Sequence, residues 1–237
     1  MLSLLQTLAL GYYPYVALTI FLFGSLIRFN RAQYGWRSGS SQLLRRRELI
    51  VGSSLFHFGI LVVLGGHLVG FGTPEKVFEV LGVPMSAHQL FAVTTGGTAG
   101  AAAWVGLTML VHRRLFDPRI RKTSSVMDIV SLLFVWTQLS FGMATVPFTL
   151  GHLDGRMLAQ LVGYVQSIIY FRPGPLEHLR GVPWVYQVHL VLGFTFFLLW
   201  PLSRLVHIWS APIWYLGRAY QVIRRRVPSR SRRGMPS

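Results

Sequence analysis

The sequence predicts an all-α fold: an integral membrane bundle of five transmembrane helices, with its N-terminus outside and its C-terminus in the cytoplasm. Three observations predict it. Hydrophobic residues make up 52% of the chain and charged residues 13%, and that charged share is about half of what a soluble domain carries. The apolar residues fall in long blocks rather than in short alternating runs. The basic residues gather between alternate blocks and at the C-terminus, as positive-inside topology requires.

The blocks follow from length. A hydrocarbon core about 30 Å thick needs about 20 apolar residues as helix. Leu8–Ile27, Leu49–Phe71, Gln89–Val111, Val126–Val146 and Trp184–Trp200 meet that standard, the last with an extension past Pro201 toward Trp209. The whole chain, 1–237, reads as one membrane domain with spans at about 8–27, 49–71, 89–111, 126–146 and 184–209 and a basic tail at 210–237. Met157–Tyr170 is uncharged but rises only about 21 Å as helix, so an interfacial or re-entrant helix is expected there. Met1–Gln6 has no basic stretch, and no cleaved signal peptide is expected.

Orientation follows from the connections. The first carries Arg28, Arg31, Arg37, Arg45, Arg46 and Arg47; the third carries Arg113, Arg114, Arg119, Arg121 and Lys122; the tail holds Arg218, Arg224, Arg225, Arg226, Arg230, Arg232 and Arg233. The second has Lys76 beside Glu75 and Glu79, and the long fourth has Arg156, Arg172 and Arg180 against Asp154 and Glu177. A sixth span would put the basic tail outside. Tyr12, Tyr13, Tyr15, Trp184, Tyr186, Trp209 and Trp214 sit near the expected boundaries, where aromatic rings favour the interface. The net charge of +16 is thus a topology signal, and no nucleic-acid partner is expected. Membrane lipid is the expected surroundings, in a multi-pass protein of a bacterial or archaeal inner membrane.

The chain has no cysteine. That excludes a disulfide, a thiolate-held zinc or iron–sulfur centre, and a covalently attached c-type haem. Any redox centre must be held by histidine or a similar ligand.

Of the 8 histidines, His57 and His67 lie in the second span and His189 and His207 near the two ends of the fifth. Ionisable groups at membrane depth are rare and point to a functional site. The second and fifth spans run antiparallel, so His57 and His207 fall on the cytoplasmic side and His67 and His189 on the outer side. The expected arrangement is two non-covalent b-type haems, each with its iron between one such pair. Filling both axial positions suits electron transfer rather than binding of a gas. Ten residues from His57 to His67 rise about 15 Å, whereas eighteen from His189 to His207 rise about 27 Å, so tilt or a bend at Pro201 is required. Gly59, Gly65, Gly66, Gly70 and Gly193 either admit a flat macrocycle or serve close helix packing. His112, His152 and His178 fall in or beside connections and are expected to face solvent or headgroups. A haem-free scaffold or transporter with histidines lining a path is the rival of another class. Against it, no inverted repeat is visible.

The chain resembles the gamma subunit of membrane-bound respiratory nitrate reductase over nearly its whole length. The resemblance is carried by Y-P-Y (13–15), Q-Y-G-W-R (33–37), S-S-Q-L-L (40–44), S-L-F-H-F-G-I-L (54–61), R-R-L-F-D-P-R (113–119), H-L-D-G (152–155), H-L-V-L-G (189–193) and F-F-L-L-W-P-L-S-R-L-V-H-I-W-S (196–210). It implies five spans and four haem ligands at His57, His67, His189 and His207. It also implies a quinol substrate oxidised near the outer haem, a cytoplasmic iron–sulfur subunit and a molybdenum catalytic subunit. This chain would be the quinol-oxidising, electron-transferring part of a quinol:nitrate oxidoreductase and would not itself reduce nitrate. Where the family pattern has a lysine associated with quinol, at the start of the third span, this chain has His88. Gly66 and His67 would border the same pocket. Arg37, Arg113, Arg204 and Arg218 are candidates to meet haem propionates or a partner's acidic surface. The nearest rival is a similar subunit of another reductase, such as one acting on sulfur compounds.

Overall fold

In the computed structural model, which describes residues 4–32 and 46–208, every regular element is helical. A short turn, α1 (Leu4–Gln6), leads through a π-helical stretch (Thr7–Tyr12) into α2 (Tyr13–Ala32). Then come α3 (Arg46–Gly72), α4 (Glu75–Val80), α5 (Met85–Phe116), α6 (Pro118–Lys122), α7 (Val126–Leu150), α8 (Arg156–Ile169) and α9 (Trp184–Leu199). Two 3-10 helices, Pro175–Leu179 and Arg204–Ile208, flank α9.

Among the described residues four helices are long and apolar enough to cross a membrane: Leu4–Arg31, Arg47–Gly72, Met85–Phe116 and Val126–Leu150. The fifth expected span is shorter than predicted. Instead of running on toward Trp209, α9 stops at Leu199, and His207 sits in the 3-10 helix beyond the turn. Pro201 has no N–H to continue the ladder. The carbonyls at this end are taken over by α2: the Arg28 guanidinium donates to Pro201 O and, at 2.7 Å, to Ser203 O. Arg28 therefore serves a helix end from within α2, not a connection. A Cβ on Gly24 would stand 2.9 Å from the Pro201 ring, and Phe21 lies edge-on to Phe197 and Trp200. One face of α2 thus reads the end of α9.

Small residues draw α3 and α5 together. A Cβ on Gly59 would strike the Ala99 carbonyl and Ala103, and one on Gly106 would strike Phe56 N and Gly52 O. Such close backbone approach is the way helices pack where lipid removes the hydrophobic drive. A reciprocal latch joins α5 to α7. Trp104 Nε1 donates to Ser140 Oγ and Trp136 Nε1 to Thr108 Oγ1, each at 2.9 Å, with the indoles stacked 6.4 Å apart. The fourth span outruns its expected end at Val146, because the Tyr186 hydroxyl donates to Thr145 O and bonds Thr149 Oγ1 around Pro147.

The stretch at 157–170 is α8. One face is buried, with Leu161, Tyr164 and Ile168 in an apolar cluster that also takes in Leu10, Leu179 and Tyr186. Tyr164 donates to Leu10 O at 2.8 Å, and Gln166 Nε2 donates to Phe71 O and Thr73 O at the end of α3. Gln89 Nε2 likewise donates to His152 O after α7. These amides satisfy helix-end carbonyls that would otherwise lack partners. Residues 33–45, with Arg37 and Arg45, and 209–237, with Trp209 and Arg218, lie outside the described residues.

Candidate functional site: facing histidines on two helices

His57 and His67 lie on α3. The Nδ1 of each stands 2.8 Å from the carbonyl one turn earlier, Ser53 O and Val63 O, and the Ser53 hydroxyl oxygen is 3.1 Å from the former. A carbonyl oxygen only accepts, so Nδ1 carries the hydrogen and Nε2 keeps its lone pair. Both rings are exposed on the helix surface. The local backbone thus presents two imidazole nitrogens with free lone pairs outward from α3.

Opposite the deeper one stands His189 of α9. The His67 and His189 ring centroids are 6.3 Å apart, with planes at 57°. Two imidazoles on opposite sides of one metal, at about 2.0–2.1 Å per nitrogen and with each ring centre about 1.1 Å behind its nitrogen, stand about 6.3 Å apart. The spacing therefore suits a single ion held between two helices. His189 is seated on α7: a Cβ on Gly142 would lie 2.9 Å from its Cε1, and Gln138 Nε2 donates to His189 O at 3.3 Å.

His57 and His207 are not seen in contact among the described residues, but their neighbours share one apolar cluster. Phe56, beside His57, and Leu205, two residues before His207, pack against the same cluster of Ala103, Leu107, Val135 and Leu139. The turn after Leu199 shortens the helical part of the step from His189 toward His207: from His189 to Leu199 is ten residues, about 15 Å as helix.

His88 begins α5 beside the outer pair. A Cβ on Gly70, one turn from His67, would lie 3.7 Å from His88 Nε2. Phe78 of α4 stacks on the His88 ring with centroids 4.2 Å apart, and the His88 Nδ1 is buried without a hydrogen-bond partner. At Gly65 and Gly66 an added Cβ would meet nothing within 4 Å. The glycines singled out in the sequence therefore divide: Gly59 serves packing, Gly65 and Gly66 border open space, Gly70 faces His88, and Gly193 faces Gln138. His112 and His152 are exposed as expected, whereas His178 is half-buried, its ring laid on Gly163. Arg113 is buried at 3% exposure.

Sequence reasoning missed Gln138, Gly142 and Phe78. The available signal for the first was a glutamine in the middle of an apolar run, F-V-W-T-Q-L-S-F-G.

Comparison with known proteins gives the lineage. Residues 6–226 match the family described as nitrate reductase gamma subunit. The chain is 44% identical over 214 residues to the respiratory nitrate reductase 1 gamma chain of Escherichia coli (strain K12), covering 90% of this chain and 95% of that one. It is 40% identical over 216 residues to the nitrate reductase gamma chain of Bacillus subtilis (strain 168), covering 91% and 96%. A more distant relative, 26% identical over 208 residues, is the Hdr-like menaquinol oxidoreductase cytochrome b-like subunit of Archaeoglobus profundus, covering 83% and 57%. With the family pattern matched from the first helix into the basic tail, the chain belongs to the nitrate reductase gamma subunit family, subunits of an oxidoreductase complex.

Proposed function

We propose that this chain is the dihaem cytochrome b of a quinol:nitrate oxidoreductase, oxidising quinol near the outer membrane face and passing electrons to cytoplasmic partners. The observation that carries the reading is the 6.3 Å separation of the His67 and His189 rings across two helices. His67 and His189 would hold the outer haem, and His57 and His207 the inner one. A haem held by these histidines would supply one-electron transfer. The α3 carbonyls fix the His57 and His67 tautomers so that Nε2 is the ligating atom. The relative from Archaeoglobus profundus, whose name joins a menaquinol oxidoreductase with a cytochrome b-like subunit, supports both haem and quinol.

His88 is the group that meets quinol. Its imidazole bonds a quinol hydroxyl and takes its proton, while Phe78 holds the ring plane. Gly66 leaves room for the substrate beside His67. Basic connections put the His88 end of α5 outside, so protons leave there and α9 makes the fifth crossing. The multi-pass chain thereby sits in a bacterial or archaeal inner membrane. Electrons leave on the cytoplasmic side toward an iron–sulfur subunit and a molybdenum catalytic subunit. The cluster must be the partner's, since this chain has no cysteine to bind one. Buried Arg113, with Arg37, Arg204 and Arg218, supplies positive charge toward propionates or that partner.

A redox-titrated optical spectrum of the purified complex tests the cofactors: two b-type components are expected, and a fully assembled protein without them refutes the reading. His88→Ala should slow haem reduction by quinol at least tenfold, about 1.4 kcal/mol in the barrier, with both haem signals retained. Loss of a haem signal would instead make His88 structural.

A further inference from the structure

The short helix α4 turns one side chain to the bundle. Lys76, Val77, Glu79 and Val80 are exposed, and Phe78 alone among the described side chains of this helix is partly covered. Its ring stacks on the His88 imidazole, with centroids 4.2 Å apart and planes at 29°. The backbone holds it there. Gly82, at φ 67°, ends α4: its N–H donates to Glu79 O, and the next N–H, of Val83, donates to Phe78 O. Those paired bonds are how a glycine closes a helix, and here they pin the residue that carries the ring. At the other end Gln166 of α8 donates to Thr73 O at 3.0 Å. On the far side of the stack, the His88 N–H donates to Pro84 O at 3.0 Å.

Phe78 covers one face of the imidazole, and Nδ1 is buried. The remaining nitrogen, Nε2, faces the outer turn of α3. From a Cβ on Gly70 the nearest atoms off that helix would be His88 Nε2 at 3.7 Å and Cε1 at 4.0 Å, and Gly70 lies one turn from His67. We infer that Phe78 is a positioning residue for quinol oxidation and that α4 is the clamp that carries it. The stacked ring holds the His88 imidazole so that Nε2, in the gap left by Gly70, is the edge a quinol hydroxyl meets. The inference rests on the assignment of His88 to quinol and adds to it a residue that acts only through the His88 ring. Imidazole hydrogen bonds form at its ring nitrogens, so a ring left to change rotamer presents the right edge only part of the time. A flat partner held against one face removes that freedom.

The test is stopped-flow reduction of the haems by saturating duroquinol in the whole complex, with dithionite reduction checking that both haem signals are present. Phe78→Leu, apolar but without a flat face, should slow the duroquinol step about fivefold with both haem signals kept. Phe78→Tyr should retain the parent rate, as should Val80→Ser on the exposed side of the same helix. The deciding measurement is the double variant. In a His88→Ala background Phe78→Leu should add no further slowing, because its effect passes through the imidazole. If Phe78→Leu fails to assemble, Phe78→Met takes its place in both backgrounds. A Phe78→Leu rate equal to the parent's, or the same slowing with and without His88, overturns the inference and leaves Phe78 as packing. A His88→Ala complex reduced by duroquinol as fast as the parent would instead overturn the assignment of His88 itself.

Discussion

Phe171 is held at φ 53°, among the described residues the one non-glycine with positive φ. It occupies the position after the cap of α8, where its N–H donates to Ile168 O and the next N–H, of Arg172, to Ser167 O. That hydrogen-bond pair closes a helix with a left-handed residue, a place glycine usually takes. A side chain there costs about 1–2 kcal/mol, offset in part by stacking on Tyr15 with centroids 5.4 Å apart. Phe171→Gly should therefore leave thermal stability within about 1 kcal/mol of the parent, whereas Phe171→Ala, which keeps the strain and loses the ring, should lose about 1 kcal/mol. Tyr164 makes a pH-dependent contribution on the same interfacial helix. Burial, with Tyr15 nearby, pushes its hydroxyl well above the ordinary tyrosine range. The neutral hydroxyl donating to Leu10 O is the form the fold keeps, so its stabilisation is complete below about pH 10 and is lost progressively at higher pH. Alkaline unfolding followed by circular dichroism should show a shallower decline above pH 10 in Tyr164→Phe. At this scale the histidines were legible because an ionisable ring in an apolar run has few structural uses. Gln138 was not, since glutamine at depth is also a common helix–helix bond, and only its bond to the His189 carbonyl ties it to the site.

At the scale of elements, glycine was legible as a class and not by site. Gly59 and Gly65 lie in the same helix with similar neighbours, and only the path of α5 makes the first a close contact and leaves the second bare. The end of α9 shows the same division. Pro201 signalled a bend, yet the partner that completes it, Arg28, read as another cytoplasmic cation among many. Hydrogen bonds to a charged group contribute about 1.5–3 kcal/mol. Arg28→Gln should thus lower the unfolding midpoint in detergent, and Gly24→Ala, pressing on the Pro201 ring, should lower it as well. A midpoint equal to the parent's in both would show that the turn after Leu199 holds without α2. The amphipathic stretch at α8 was legible as too short to cross. What it packs against was not, because several separate elements supply that surface.

At the scale of the whole molecule, four of the five expected spans were legible because bilayer thickness fixes helix length. Their mutual arrangement was legible only where antiparallel order forces it. That order brought His67 and His189 to one level, and their rings meet. It did not reveal that His207 would lie in a 3-10 helix beyond α9, since a 3-10 helix after a turn is invisible to hydropathy. Between these levels the Trp104 and Trp136 indoles are fixed 6.4 Å apart and 29° from parallel by hydroxyls of the opposite helix. Two strong ultraviolet chromophores so close and so oriented couple their transitions. The protein consequently carries an intrinsic optical gauge: a split ultraviolet dichroism band that should report the docking of two neighbouring crossings without any label. Trp136→Phe should abolish the splitting while leaving total helicity intact, and a parent spectrum lacking it would mean the latch is open in detergent.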